Sequence, residues 1–210
     1  MRRYSPVTKV VAGIGALFVI TALVHVFIIR PWYLHWGATP EEESAALPGD
    51  YLIPPQSEVT TRAITIHAPA GQVWPWLSQI GQERGGFYSY SWMENIFGAD
   101  MHNADIILPE DRHLKVGDTV SYLRDGPPMT KAEVTAVIFE KELSLKGWSF
   151  YLIPVDDQTT RLVVRYSYPL VTTFDKAYYY LNFEMQHFIM ETGMMRGIKQ
   201  RAEASYQVQK

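Results

Sequence analysis

Glu94 and His102 are the side chains placed to give or take a proton, and both fall in one crowded stretch, Val73 to Asp105 (VWPWLSQIGQERGGFYSYSWMENIFGADMHNAD). Around them stand Arg84, Asn95, Asn103 and Asp105, the rings of Tyr88 and Trp92, and chain breaks at Gly81, Gly85, Gly86 and Gly98. Aromatic walls carrying a few polar groups describe a ligand pocket. A carboxylate buried among rings has its pKa raised by desolvation and could serve as an acid or base. It could equally pair with Arg84, whose guanidinium would then hold the pocket's rim or a ligand's acid group. Gly85 and Gly86 allow a sharp reversal there. His102 and Asn103 are expected to hydrogen-bond at the cavity mouth, with Asp105 capping or bracing the next segment.

Other chemistries are excluded. His102, Asn103 and Asp105 fall short of the three or four converging ligands that a metal needs, and the only other histidine nearby is His113. The RGG tripeptide lacks the helix-opening glycine fingerprint and Lys-Ser pair of a phosphate loop. No nucleophile elbow such as GxSxG is present. The chain has no cysteine, which removes disulfides, thiolate metal sites and a cysteine nucleophile. A formal charge of -3 with scattered basic residues gives no stripe for a phosphate backbone, so nucleic acid is not a partner. Neither a cofactor nor a set of catalytic residues is expected.

Such a pocket needs elements to hold it. With 210 residues the chain has room for one buried domain plus appendages. In TTRAITIHA, Arg62, Ile64, Ile66 and Ala68 alternate with Ala63, Thr65 and His67, which predicts a half-buried strand closed by Pro69. Gln72 to Ile80 reads as a short helix with Val73, Trp76, Leu77 and Ile80 on one stripe, ended by Gly81. A second short helical patch covers SYSWMENIFG. Further strands are expected over Thr119–Leu123, over 131–140 with Ala132, Val134, Ala136 and Ile138 inward, around Leu143 and Leu145, through WSFYLIPV, and from Thr160 to Tyr168. Strands joined by short turns form an antiparallel meander. From Phe174 to Gln209 there is no proline, and apolar residues recur at helical spacing, so one long amphipathic helix is expected to cover the sheet's concave face. Its Met185 and Ile189, with Trp148 from the sheet, complete the expected pocket lining. Gly193 and Gly197 leave room for close approach, either of a bound molecule or of the domain's own chain.

Ahead of the domain, Val10 to Ile29 is a run of 20 residues without Asp, Glu, Lys or Arg. A helix of that length spans about 30 Å, the thickness of a bilayer's hydrocarbon. Arg2, Arg3 and Lys9 precede it and Arg30 follows, so the positive-inside bias keeps the N-terminus cytoplasmic and exports the domain. A cleaved signal peptide would have a shorter apolar core and a small-residue cleavage site, where this chain has Arg30, Pro31 and two tryptophans. The expected division is a basic N-terminus over 1–9, a transmembrane helix over 10–30, a proline-stiffened linker over 31–59 and a domain over 60–210.

Strand, two short helices, a meander and a long final helix is the order of the helix-grip fold, an α+β class. ITIHAPAGQVWPWLSQIGQERGGFYSYSWMENIFGADMHNAD, LKVGDTV, WSFYLIP with TRLVVRYSY, and the ending GIKQRAE also resemble the START-like (SRPBCC) superfamily that includes the polyketide cyclases. The resemblance runs from Thr60 to about Gln207 and implies an antiparallel curved sheet with a hydrophobic cavity beneath the final helix. It implies no catalytic set, because members bind apolar molecules as often as they transform them. A membrane-tethered domain for a hydrophobic small molecule or lipid is therefore expected, with Arg84, Tyr88, Trp92, Glu94, Asn95, His102, Asn103, Trp148, Met185 and Ile189 as ligand-binding candidates. The alternatives are a cyclase or dehydratase using Glu94 or His102, and a structural interaction module in the envelope whose interior is filled by side chains.

Overall fold

The alternation around Ile64 and Ile66 forms β1 (Ser57–Ile66), which pairs antiparallel with β6 (Thr159–Pro169) from Ser57↔Pro169 to Ile66↔Thr160. The computed structural model describes residues 6–96, 98–109 and 114–208; Arg2, Arg3 and His113 lie outside them. With β2 (Thr119–Ser121), β3 (Lys131–Ile138), β4 (Glu142–Leu145) and β5 (Trp148–Asp156), the strands make one six-stranded sheet in the order β1-β6-β5-β4-β3-β2. Every described pairing is antiparallel. The first and last strands are thus neighbours, and α4 (Ala70–Ser78) and α5 (Ser91–Ile96) lie in the long connection from β1 to β2. This is the helix-grip arrangement.

The inner face of the sheet carries Ile66, Val134, Leu143, Leu145, Phe150, Leu152, Leu162 and Val164, all buried. Burying each large side chain of this kind contributes about 1.5 to 3 kcal/mol. One expectation fails in β3. A register shift between Val134 and Ala136 turns Val137 toward the core and leaves Ile138 exposed, because a bulge's extra residue swaps the faces beyond it.

The cover is α6 (Thr173–Tyr178), a π-helical turn over Tyr179–Phe183 and α7 (Glu184–Val208), one helical run in place of the single α-helix expected. A capping box between Thr172 and Asp175 opens it. Met194, Met195, Ile198 and Ala202 of α7 meet the core. Gly193 and Gly197 let α7 close on the chain at Tyr88 to Tyr90: a Cβ at Gly197 would press into the Tyr88 backbone, and one at Gly193 into the Tyr90 ring and the Ser89 hydroxyl.

The apolar N-terminus is helical from α1 (Pro6–Val24) through a π-helical turn (His25–Ile29) to α2 (Arg30–Leu34). Pro31 lacks an N–H, and the Arg30 N–H just before it donates five residues back to His25 O, so the helix widens by one residue and continues. Val11–Leu34 is long and apolar enough to cross a membrane, and from Val11 to Val24 every residue is exposed.

The proline-rich stretch read as a linker lies across the outer face of the sheet. Ala38 and Leu47 pack on Ala63, Tyr151 and Val163. Arg161 reaches Glu42 of α3 (Pro40–Ser44) at 2.6 Å, and Arg165 reaches Asp50 at 2.7 Å and the Ala45 carbonyl at 2.9 Å. The joint between apolar helix and domain is polar: Arg30 binds Glu184 at 2.6 Å and Glu58 at 2.7 Å, and the Tyr33 hydroxyl donates to Glu184.

Candidate functional site

The stretch richest in reactive residue types is held together by those same residues. Gly81 and Gly86, both at positive φ, exchange backbone hydrogen bonds of 3.0 and 2.9 Å and close the loop around Arg84. The Asn103 side chain accepts from Tyr88 N at 2.7 Å and donates to Ser89 O at 3.0 Å, fixing Tyr88 at its strained φ of 57°. Asn95 brackets the Met101 backbone in the same way. Tyr88 is buried edge-on against Trp76, with the Arg201 guanidinium 4.9 Å from its ring centroid. Asp105 accepts from Arg201 at 2.8 Å and so braces the loop against α7.

Arg84 donates to Ser78 O at 3.1 Å. The expected pairing of Glu94 does not form: the carboxylate meets no cation among the described residues, and its Oε2 is sealed without a hydrogen-bond partner. Desolvation alone pushes the Glu94 pKa up to about 7. His102 is exposed at the surface, 3.0 Å from Asp100, which also takes Arg124 at 2.9 Å. Trp92 is exposed, Met185 stands on the open face of α7, and Ile189 is half-buried.

Trp148, from β5, belongs to a different cluster, under the N-terminal half of α7. Its indole N–H donates to Glu191 Oε2 at 2.7 Å, and Glu191 Oε1 takes Arg62 at 2.7 Å. Both members of that ion pair are sealed from solvent. His187, one helical turn before Glu191, lies 4.0 Å ring to ring from Tyr166 and 5.7 Å from Trp148. Tyr122 completes the group, edge-on to Trp148 at 5.9 Å. Sequence reasoning passed over Arg62, Tyr122, Tyr166, His187 and Glu191 as site residues. Two signals pointed to them: an arginine on the inward side of β1, and a histidine and a glutamate four apart on a helix that faces the sheet.

Burial governs the charges in this cluster. It pushes the Glu191 carboxyl up, against the pull of the Arg62 guanidinium and the Trp148 N–H. Burial, with Arg62 adding to it, pushes His187 well below the usual histidine range, so its 3.7 Å approach to Glu191 is a contact of a neutral ring rather than an ion pair. Burial also pushes the Tyr122 and Tyr166 hydroxyls up and keeps them protonated. These rings are nonetheless open: Tyr122 and Tyr166 are half-buried, the His187 side chain is 13 % exposed, and neither hydroxyl is sealed or partnered among the described residues. Two protonated phenols and a neutral imidazole on a tryptophan floor form a set of hydrogen-bonding groups in apolar surroundings.

The remainder of the interior is filled by Trp76, Phe87, Phe150, Met194, Met195 and their neighbours. Elsewhere, a recess of 20 Å³ on the outer face contains Asp50 and Arg165, and an open groove of 550 Å³ runs between Gln56, Leu170, Lys176 and Tyr180. No group of three or more His, Cys, Asp or Glu converges as metal ligands would among the described residues.

No family model matches the chain, and no curated protein is similar to it. Solved structures are. A conserved protein of unknown function from Enterococcus faecalis is 13% identical with a TM-score of 0.42, over 86% of this chain and 95% of that one. Norcoclaurine synthase from Thalictrum flavum is 12% identical with a TM-score of 0.40, over 74% and 91%. A polyketide-cyclase-like protein from Corynebacterium glutamicum is 15% identical with a TM-score of 0.32, over 74% and 93%. The chain has a helix-grip fold. Strand order and the placement of α7 in this chain carry that statement; likeness at these values says nothing of activity.

Proposed function

We propose that the chain is a membrane-anchored binding domain for a hydrophobic small molecule or lipid, received between sheet and α7 at Tyr122, Trp148, Tyr166 and His187. One observation carries this: three polar rings lie deep enough for burial to shift their ionisation, yet each keeps accessible surface, and neither tyrosine hydroxyl is paired among the described residues. Side chains that only filled a core would be sealed or satisfied. An apolar guest with one polar end meets both of its needs there. Trp148 serves as the floor; Met185 and Ile189, two residues on either side of His187, lie on the opposite side of α7 and outside the site, and His102 stands apart at the surface. Arg84, Tyr88, Asn95 and Asn103 act indirectly by holding the loop on which α7 rests.

The anchor is Val11–Leu34. Arg30 is neutralised by Glu58 and Glu184, while Arg2, Arg3 and Lys9 precede the span in the sequence, a charge bias that favours a cytoplasmic N-terminus with the domain outside.

Glu94 favours a second reading, an enzyme of the cyclase or dehydratase kind. Its desolvated carboxyl, with Oε2 unpartnered among the described residues and a pKa of about 7, suits proton transfer near neutral pH.

Native mass spectrometry of the full chain, released from detergent, tests both. A small-molecule adduct is expected on the wild type and is lost in His187→Trp, which fills the opening. An adduct that changes mass in Glu94→Gln supports the enzyme. A wild type without an adduct, or one indifferent to His187→Trp, contradicts the binding site.

A further inference from the structure

Phe174, Tyr178, Leu181 and Met185 follow one another at spacings of four, three and four, which puts them on one face of the helical run from α6 to α7. All four are exposed, Phe174 at 76% and Leu181 at 80%. The same spacing leads next to Phe188, which packs edge-on against Trp32 at 5.7 Å and also meets Tyr33. Trp32 is itself exposed at 59%, at the domain end of the apolar helix. An unpartnered apolar face thus continues without a break onto the segment long enough to cross a membrane.

The angle between the two is fixed by strong contacts. Arg30 grips Glu184 and Glu58, Tyr33 donates to Glu184, and Arg62 Nε donates to Tyr33 O at 2.8 Å. The charges of this stretch are turned from the open face or spent in capping: Glu184 is buried, and Asp175 is held by Thr172. Tyr178, Tyr180 and Trp32 are the ring types that gather at the membrane–water boundary. Val171 adds exposed apolar surface, and Lys176 stands beside the 550 Å³ groove at this same end.

We propose that this face, Phe174, Tyr178, Leu181 and Met185 with Trp32, is seated in the interfacial layer of the bilayer that Val11–Leu34 crosses. The occupant is the lipid surface itself, as for a helix lying in the membrane plane. The inference rests on the transmembrane reading of that helix and goes beyond it, since a span alone would leave the domain free above the membrane.

The chain has no cysteine, so single labels are clean. Full-length Leu181→Cys, Leu17→Cys and Val155→Cys, each carrying a nitrobenzoxadiazole label, are placed in phosphatidylcholine nanodiscs at one chain per disc. The lipid is brominated at shallow or deep acyl positions. Val155 is exposed at the far end of the sheet, about 30 Å of strand from Pro169. The expected result is loss of the Leu181 emission with shallow bromines and of the Leu17 emission with deep ones, with Val155 unchanged. A Leu181 label that stays bright while Leu17 is quenched overturns the docking and leaves the span intact, whether the label is red-shifted in water or blue-shifted under protein. A Leu17 label that stays bright overturns the span and the docking with it.

Discussion

Two regions of this protein are rich in polar and aromatic side chains, and they spend them differently. In the loop from Gly81 to Asp105 the polar groups look inward to their own backbone: Asn103 holds Tyr88 and Ser89, and Asn95 holds Met101. Under α7 the polar groups come from strands and helix far apart in the chain, with Arg62, Glu191 and Trp148 locked together and Tyr122, Tyr166 and His187 left open above them. Proximity along a sequence builds a scaffold; convergence of distant elements builds a site.

Replacing single residues on each side sharpens that contrast. Arg62→Leu strands the Glu191 carboxylate in the core, and removing one partner of a buried ion pair costs about 3 to 5 kcal/mol. Adding Glu191→Met should return most of that loss, since the unpaired charge goes with it. Urea unfolding of the detergent-solubilised chain measures both, and equal losses in single and double variants would contradict the assignment. Asn103→Leu orphans Tyr88 N and Ser89 O at a partly buried place, for about 1 to 3 kcal/mol. If it cost more than Arg62→Leu, the loop rather than the interior cluster would be the centre of the fold.

The smallest effect depends on pH. Burial raises the folded pKa of Glu94 from the ordinary glutamate value of about 4.5 to about 7. Between these values the folded state binds more protons than the unfolded one, so the group's contribution is fully present below the unfolded pKa and is lost as pH rises through 7. Glu94→Gln has nothing to ionise. Its melting temperature relative to the wild type should therefore climb from pH 5 to pH 8, and a flat difference would show that the carboxyl is solvated. His187 works in the other direction, because its pKa is depressed: protonation of the unfolded chain lowers stability as pH falls below the ordinary histidine range.

Much of the architecture was legible. Period-two alternation around Ile64 and Ile66 and proline-free helical spacing after Phe174 are local signals, and both produced the expected elements. The bulge in β3 was not legible, since alternation alone gives no sign of an inserted residue. Nor was the fate of 31–59: prolines and glutamates read as a spacer, yet Glu42 and Asp50 find Arg161 and Arg165 on the sheet's outer face. The loop candidates were chosen because reactive residue types lay close together, and most of those types serve backbone there. Arg62 and the His187–Glu191 pair were visible as polar residues on inward-facing positions, a local oddity that only a fold could turn into a cluster.

The two regions each contain a histidine, which makes them separable by one measurement. With ring-labelled histidine in the full chain, NMR follows His102 and His187 while 8-anilinonaphthalene-1-sulfonate, an apolar probe with one polar end, is added. The His187 ring resonance should shift with saturation while His102 stays in place. A saturable shift of His102 with His187 unmoved would contradict a binding site between the sheet and α7.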